Sequence, residues 1–231
     1  MRIIITTAML CWIFPLLAQN DSLGEELIGD FYQGLVKVEP DTKKCLNDYK
    51  LGNCVAIALI KCALAQFGSI ENIFEDYEVI ENGYAATFSD GQNVSLYDSE
   101  IQIVKEISGI RHKVSPKYYQ SALILYGLIC KKIFIEKQES SRCINSFKNA
   151  VEYINAGYPT KIAPQLLGLT GEAPKNKIQS YKAVVIWSRA HAAFASNGIQ
   201  DIAGKRFFIT SGKMRNMRGK GKIRGAFILT K

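Results

Sequence analysis

Histidine is scarce in this chain of 231 residues, which has two, His112 and His191. Neither a Cys-x-x-Cys nor a His-x-x-x-His spacing occurs. The usual ligand patterns of zinc sites are therefore missing, and no metal or other cofactor is expected. Beyond residue 18 no stretch is long and apolar enough to cross a membrane, which takes about 20 residues. There is no internal repeat, and no linker rich in serine and proline divides the chain. Zinc modules, repeat arrays and multi-span membrane proteins are set aside on these grounds.

The chain opens like a secretory signal. Arg2 precedes the almost wholly apolar run Ile3–Leu17, and Leu16-Leu17-Ala18 before Gln19-Asn20-Asp21 fits cleavage after Ala18 or Gln19. Residues 1–18 are read as the signal peptide. Residues 19–231 suit a single domain, at about 100–200 residues per domain. The product is expected to be exported, either secreted or periplasmic.

The formal net charge is +8. Lys213, Arg215, Lys220, Lys222, Arg218 and Arg224 crowd into one glycine-containing segment. Two readings stay open: a solvated loop before the last strand, or a patch for an anionic surface. No aromatic side chains interleave these charges, so nucleic acid is not an expected partner. Among six cysteines, Cys11 lies in the leader; Cys45, Cys54, Cys62, Cys130 and Cys143 remain. An odd number leaves at least one thiol free unless chains pair. Cys130 and Cys143 flank a helix–helix connection and are candidates to bridge.

Residues 20–50 are polar and weakly periodic, a lead-in with one short helix near Leu23–Tyr32. Val55 to Phe67 is apolar on nearly all faces and ends at Gly68, the pattern of a helix buried at the centre of a domain. Asn82-Gly83 and Asp90-Gly91 separate short aromatic and β-branched runs, which is a hairpin signal. A short helix follows at Glu100–Ile107. Helices are expected at Lys117–Ile135 and from Ser140 to Gly157. A proline- and glycine-containing loop runs over Tyr158–Lys177. Strands are expected at Val184–Trp187, His191–Ala195, Arg206–Thr210 and Ala226–Thr230. Helices about 45–157, carrying one small hairpin, precede a β-rich part at 158–231, which is the α+β pattern.

Gly52-Asn53-Cys54 stands just before the apolar helix. A thiol there meets free backbone N–H groups and the positive end of the helix dipole, and both favour the thiolate. A nucleophilic cysteine also needs a base, and His191 opens the apolar segment His-Ala-Ala-Phe-Ala. His112, between Arg111 and Lys113, reads as solvated, and Cys62 reads as core.

Gly52-Asn53-Cys54-Val55-Ala56-Ile57-Ala58-Leu59 resembles the nucleophile motif of calpain-like peptidases of the papain superfamily. Ala190-His191-Ala192 is similar to that family's histidine segment, and Tyr84–Leu96 to the small hairpin of its bacterial members. The resemblance covers roughly Asn47–Thr210. It implies a papain-like α+β fold and hydrolysis of peptide or protein substrates. Cys54 would be the nucleophile, His191 the base, and the Cys54 N–H half of an oxyanion hole. Two positions depart from the family pattern. The glutamine expected six residues before the cysteine is Asp48, with Asn47 beside it. The asparagine expected after the strand that follows the histidine strand is replaced by Ser211. Asp201, ten residues after His191, is the candidate to orient the imidazole, with Asn216 a lesser one. Two alternatives remain: a papain-fold binding protein without catalysis, and a thiol-dependent cell-wall amidase or transamidase.

Overall fold

The computed structural model describes residues 23–45, 52–210, 212–216 and 219–231. Residues 1–18, read above as a signal peptide, and Asn47, Asp48, Ser211 and Arg218 lie outside them. The α+β class is observed, and the described strand pairs are antiparallel.

Residues 23–45 are more than a lead-in. A helical turn at 23–27 runs into β1 (Phe31–Gln33) and then α1 (Pro40–Cys45). Leu23, Leu27, Ile28 and Phe31 are buried in the main core. These elements are too short to print a period in the sequence. β1 is held by pairing with β5 (Ile110–His112), Gln33 opposite Ile110.

The central helix, α2 (Cys54–Phe67), is buried at every position from Val55 to Leu64. It stops at Gly68, whose φ of 88° frees its N–H to reach the Leu64 carbonyl at 2.8 Å. A three-stranded sheet follows: β2 (Asp76–Ile80), β3 (Gly83–Thr87) and β4 (Asn93–Tyr97). Both hairpins form, the first closing one residue early on Glu81-Asn82, with Asn82 at φ 58°. The helices α3 (Asp98–Ile107) and α4 (Tyr119–Lys137) come next. The last helix, α5 (Phe147–Asn155), starts later than its apolar pattern suggests. Ser146 is the reason: its hydroxyl accepts the Asn149 N–H at 3.2 Å and fixes the first turn.

Tyr158–Lys177 is not all loop. It contains a 3-10 helix, Thr160–Leu167, and β6 (Thr170–Glu172). The remaining strands are β7 (Val184–Trp187), β8 (Ala192–Ser196), β9 (Ile199–Ile202), β10 (Lys205–Phe208), β11 (Lys213–Asn216), β12 (Gly219–Lys222) and β13 (Gly225–Thr230). Five of them join β6 in one six-stranded sheet, in the order β10-β9-β8-β7-β13-β6. Its alternation separates two cores. Val185, Ala192, Phe194 and Phe227 face α2, while Val184, Ile186, Ala193 and Ala195 pack with Met214 on the other side. The cationic segment is therefore a hairpin rather than a loop. β11 pairs with β12, and Met214 is fully buried.

Cys130 does not bridge. It is fully buried in α4 with a free thiol. The disulfide joins Cys45, at the end of α1, to Cys143, before α5, across 98 residues of sequence. Closing so long a loop restricts the unfolded chain. Cys143→Ser should lower unfolding free energy by about 2–4 kcal/mol in urea titrations. Alkylation before reduction should modify neither Cys45 nor Cys143; modification of both would refute the bridge.

Asp30 fixes the start of α4. Its buried carboxylate accepts the Lys117 N–H at 3.0 Å and the Tyr118 N–H at 2.8 Å, and it pairs with Lys113 at 3.1 Å. Burial pushes the carboxyl up, but the two N–H groups and Lys113 outweigh it and leave it below its usual value. Such a depressed group contributes stability above its unfolded pKa, ~4, which is lost as pH falls through the folded value. Asp30→Asn should cost about 1–3 kcal/mol at neutral pH. It should also flatten the wild-type loss of stability below pH 4, as read by urea unfolding at each pH.

Candidate functional site

Cys54 is the first residue of α2, and Asn53 is the N-cap. Asn53 does not cap with its side chain; its amide donates instead to the Ser108 carbonyl at 2.7 Å. The first N–H groups of α2 thus stay available to the sulfur. Gly52 holds the turn with its N–H on the Asn155 carbonyl at 2.8 Å and φ at 157°. A Cβ at Gly52 would stand 3.1 Å from the Gln33 side-chain amide nitrogen. Glycine here keeps that amide close to the cysteine turn.

His191 stands immediately before β8, and β8 packs along α2. Alanines make this approach possible: Ala192 on the strand and Ala58 on the helix bring the two backbones close. Cys54 and His191 line the same two spaces. The inner one, about 20 Å³, is the size of a water molecule and includes Gln33, Lys61 and Asp201 in its walls. The outer one is a groove of about 660 Å³ running past Gly52, Val55, Tyr158 and Arg189.

Burial dominates the ionisation of both groups. It pushes the Cys54 thiol up, opposed by the backbone N–H groups of Ala192, Val55 and Cys54 itself. It pushes the His191 imidazole down, opposed by the charge of Asp201. The resting pair is therefore thiol and neutral imidazole.

Asp201 reaches the site, but in a different role from the expected one. The Asn197–Gly204 segment is not a single turn: it contains β9 between two tight turns, Asn197-Gly198 and Ala203-Gly204. One Asp201 oxygen accepts the Gly29 N–H at 2.8 Å and pairs with the Lys61 ammonium. The other accepts the Gly204 N–H at 2.9 Å. None of these bonds goes to His191. Asp201 acts on the imidazole only through its field, which raises its pKa against the larger effect of burial. Asn216 lies in β11 of the cationic hairpin. His112 is exposed and Cys62 is buried, as their neighbours in sequence suggest.

Two members of the site escape sequence reasoning. Gln33 carries no local signal, because the pairing of β1 with β5 brings it in. Lys61 does carry one: a lone cation in an apolar helix, seven residues after Cys54 and so on the same face. Its side chain is 1% exposed, donates to the Leu27 carbonyl at 2.6 Å, and lies 4.6 Å from the centre of the Phe31 ring.

Removing one partner of a buried pair strands the other. Asp201→Ala should cost about 3–5 kcal/mol. Adding Lys61→Met should recover part of that loss but not all, because the Gly29 and Gly204 N–H groups remain unpaired. Urea unfolding of the two single variants and the double variant gives the coupling; simple additivity would refute it.

No family model matches this chain, and neither the curated proteins nor the solved structures give a match.

Proposed function

We propose that this chain is a papain-like cysteine peptidase with Cys54 as nucleophile and His191 as base. The observation that carries the reading is the shared lining of the groove by Cys54, at the start of the buried α2, and His191, at the head of β8. In the reaction His191 takes the thiol proton as the sulfur bonds to the substrate carbonyl carbon. Collapse of the tetrahedral adduct breaks the C–N bond, and the amine leaves with the proton from His191. Water, deprotonated by His191, then hydrolyses the thioester.

The oxyanion needs two donors. The Cys54 N–H supplies one. The Gln33 amide, held against Gly52, supplies the other, which removes the difficulty raised by Asp48 at the family's glutamine position. Export is supported by the Cys45–Cys143 disulfide, a bond favoured in oxidising compartments. Among the described residues no helix is long and apolar enough to cross a membrane. The exposed Lys213, Arg215 and Lys222 of the β11–β12 hairpin give an anionic surface a place to settle.

Cys54→Ala should abolish peptide cleavage and leave the fold intact by circular dichroism. Gln33→Ala should lower kcat by about 10²–10³ with little change in KM. Iodoacetamide should label Cys54, with a rate that rises with pH into the alkaline range because the thiol is raised. His191→Ala should slow that labelling. Equal rates with and without the imidazole would sink the pair.

A further inference from the structure

We propose that Arg189 gives this site a preference for peptides carrying Glu or Asp within one or two residues of the attacked carbonyl. The proposal rests on the peptidase reading above and names its substrate class.

The turn that delivers His191 also delivers Arg189. Trp187 pairs with Ala192, and the Ser188 N–H closes on the His191 carbonyl at 2.9 Å. Arg189 and Ala190 are left as the exposed tip. The strands beneath that tip are interior to the six-stranded sheet, β7 between β13 and β8, and β8 between β7 and β9. The tip is thus built on rigid elements. Consecutive Cα atoms are about 3.8 Å apart, so Arg189 starts within about 8 Å of His191. Its side chain can reach a neighbour of the scissile bond in the same groove.

Charge sets the chemistry. Arg189 lines the groove of about 660 Å³, and no carboxylate lines it. Among the described residues Arg189 has no ion pair. The facing wall, Gly157-Tyr158-Pro159, is uncharged. A guanidinium with no acid of its own, beside a groove of ligand size, suits the planar carboxylate of an incoming side chain. The net charge of +8 favours the approach of an acidic chain. A lysine in the same position would meet only repulsion.

The test uses three peptidyl acyloxymethyl ketones that differ only in Glu, Gln or Lys next to the electrophilic carbonyl. Second-order labelling of Cys54 is followed by intact mass. Wild type should react with the Glu probe about tenfold faster than with the Gln probe, and slowest with the Lys probe. Arg189→Gln should level the three. Arg189→Glu should reverse the order in favour of Lys, a gain that misfolding cannot imitate. Lys105→Gln, an exposed change on α3, should keep the wild-type order. Equal labelling of Cys54 by the Glu and Gln probes in wild type would overturn the proposal and leave the thiol site standing. If iodoacetamide labels Cys54 and no peptide probe does, the peptidase reading falls and this proposal falls with it.

Discussion

The pairing of Lys61 with Asp201 is the constraint on which the site depends. An ammonium inside an apolar helix costs several kcal/mol to desolvate unless it is fully partnered. Here the partners come from separate parts of the chain: Asp201 from β9, the Leu27 carbonyl, and the face of Phe31. The same carboxylate holds the Gly29 and Gly204 N–H groups. One buried contact thus fixes how α2 is rotated and how far it slides against the sheet. Hydrophobic packing alone is weakly directional and would tolerate small slips along so uniformly apolar a helix. Cys54 lies two turns from Lys61 on the same face, so its sulfur inherits that register.

The sheet side of the register comes from tight turns. Asn197-Gly198 and Ala203-Gly204 take positive φ at both turn positions, the conformation that matches the twist of paired strands. They place Asp201 opposite Arg206 on one side of β9 and bring Ala195 opposite Gln200 on the other. A shift of one residue would turn Asp201 to the far side of the sheet, into the core of Met214, with Lys61 left unpaired. The ion pair and the hairpin turns therefore select the same register, and this agreement holds His191 at the head of β8.

Legibility in the sequence follows the range of the forces involved. The burial of α2, the Asp90-Gly91 turn and the strand at Val184–Trp187 each rest on neighbours in sequence and can be read there. The Asn-Gly signal also stands at Asn197-Gly198, yet β9 is too short to separate from its turns by pattern. Gln33, the partner of Lys61 and the bridge from Cys45 to Cys143 are products of packing. Cys130 looks suited to bridge because it is close to Cys143 in sequence. In the structure α4 turns it into the core, and α1 brings Cys45 from the other side. The α5 boundary is intermediate: Ser140 offers a start ahead of an apolar face that begins at Ile144, but the Ser146 hydroxyl decides the start.

The chain holds a disulfide and free thiols at once, and protonation explains how the exposed-side thiol persists. Exchange and oxidation proceed through the thiolate. Cys62 and Cys130 are fully buried, and burial pushes both thiols up. Cys54 opens on a groove, so access alone does not protect it. Its thiol is also raised by burial, and burial holds the His191 imidazole down despite the charge of Asp201, so the neutral ring does little to stabilise a thiolate. In the resting state the pair is neutral, the form least prone to oxidation. A bound carbonyl changes that balance, because the developing oxyanion takes up the charge the resting site does not stabilise on sulfur. On the peptidase reading, the burial that packs α2 against the sheet therefore also keeps the nucleophile protonated until a substrate arrives.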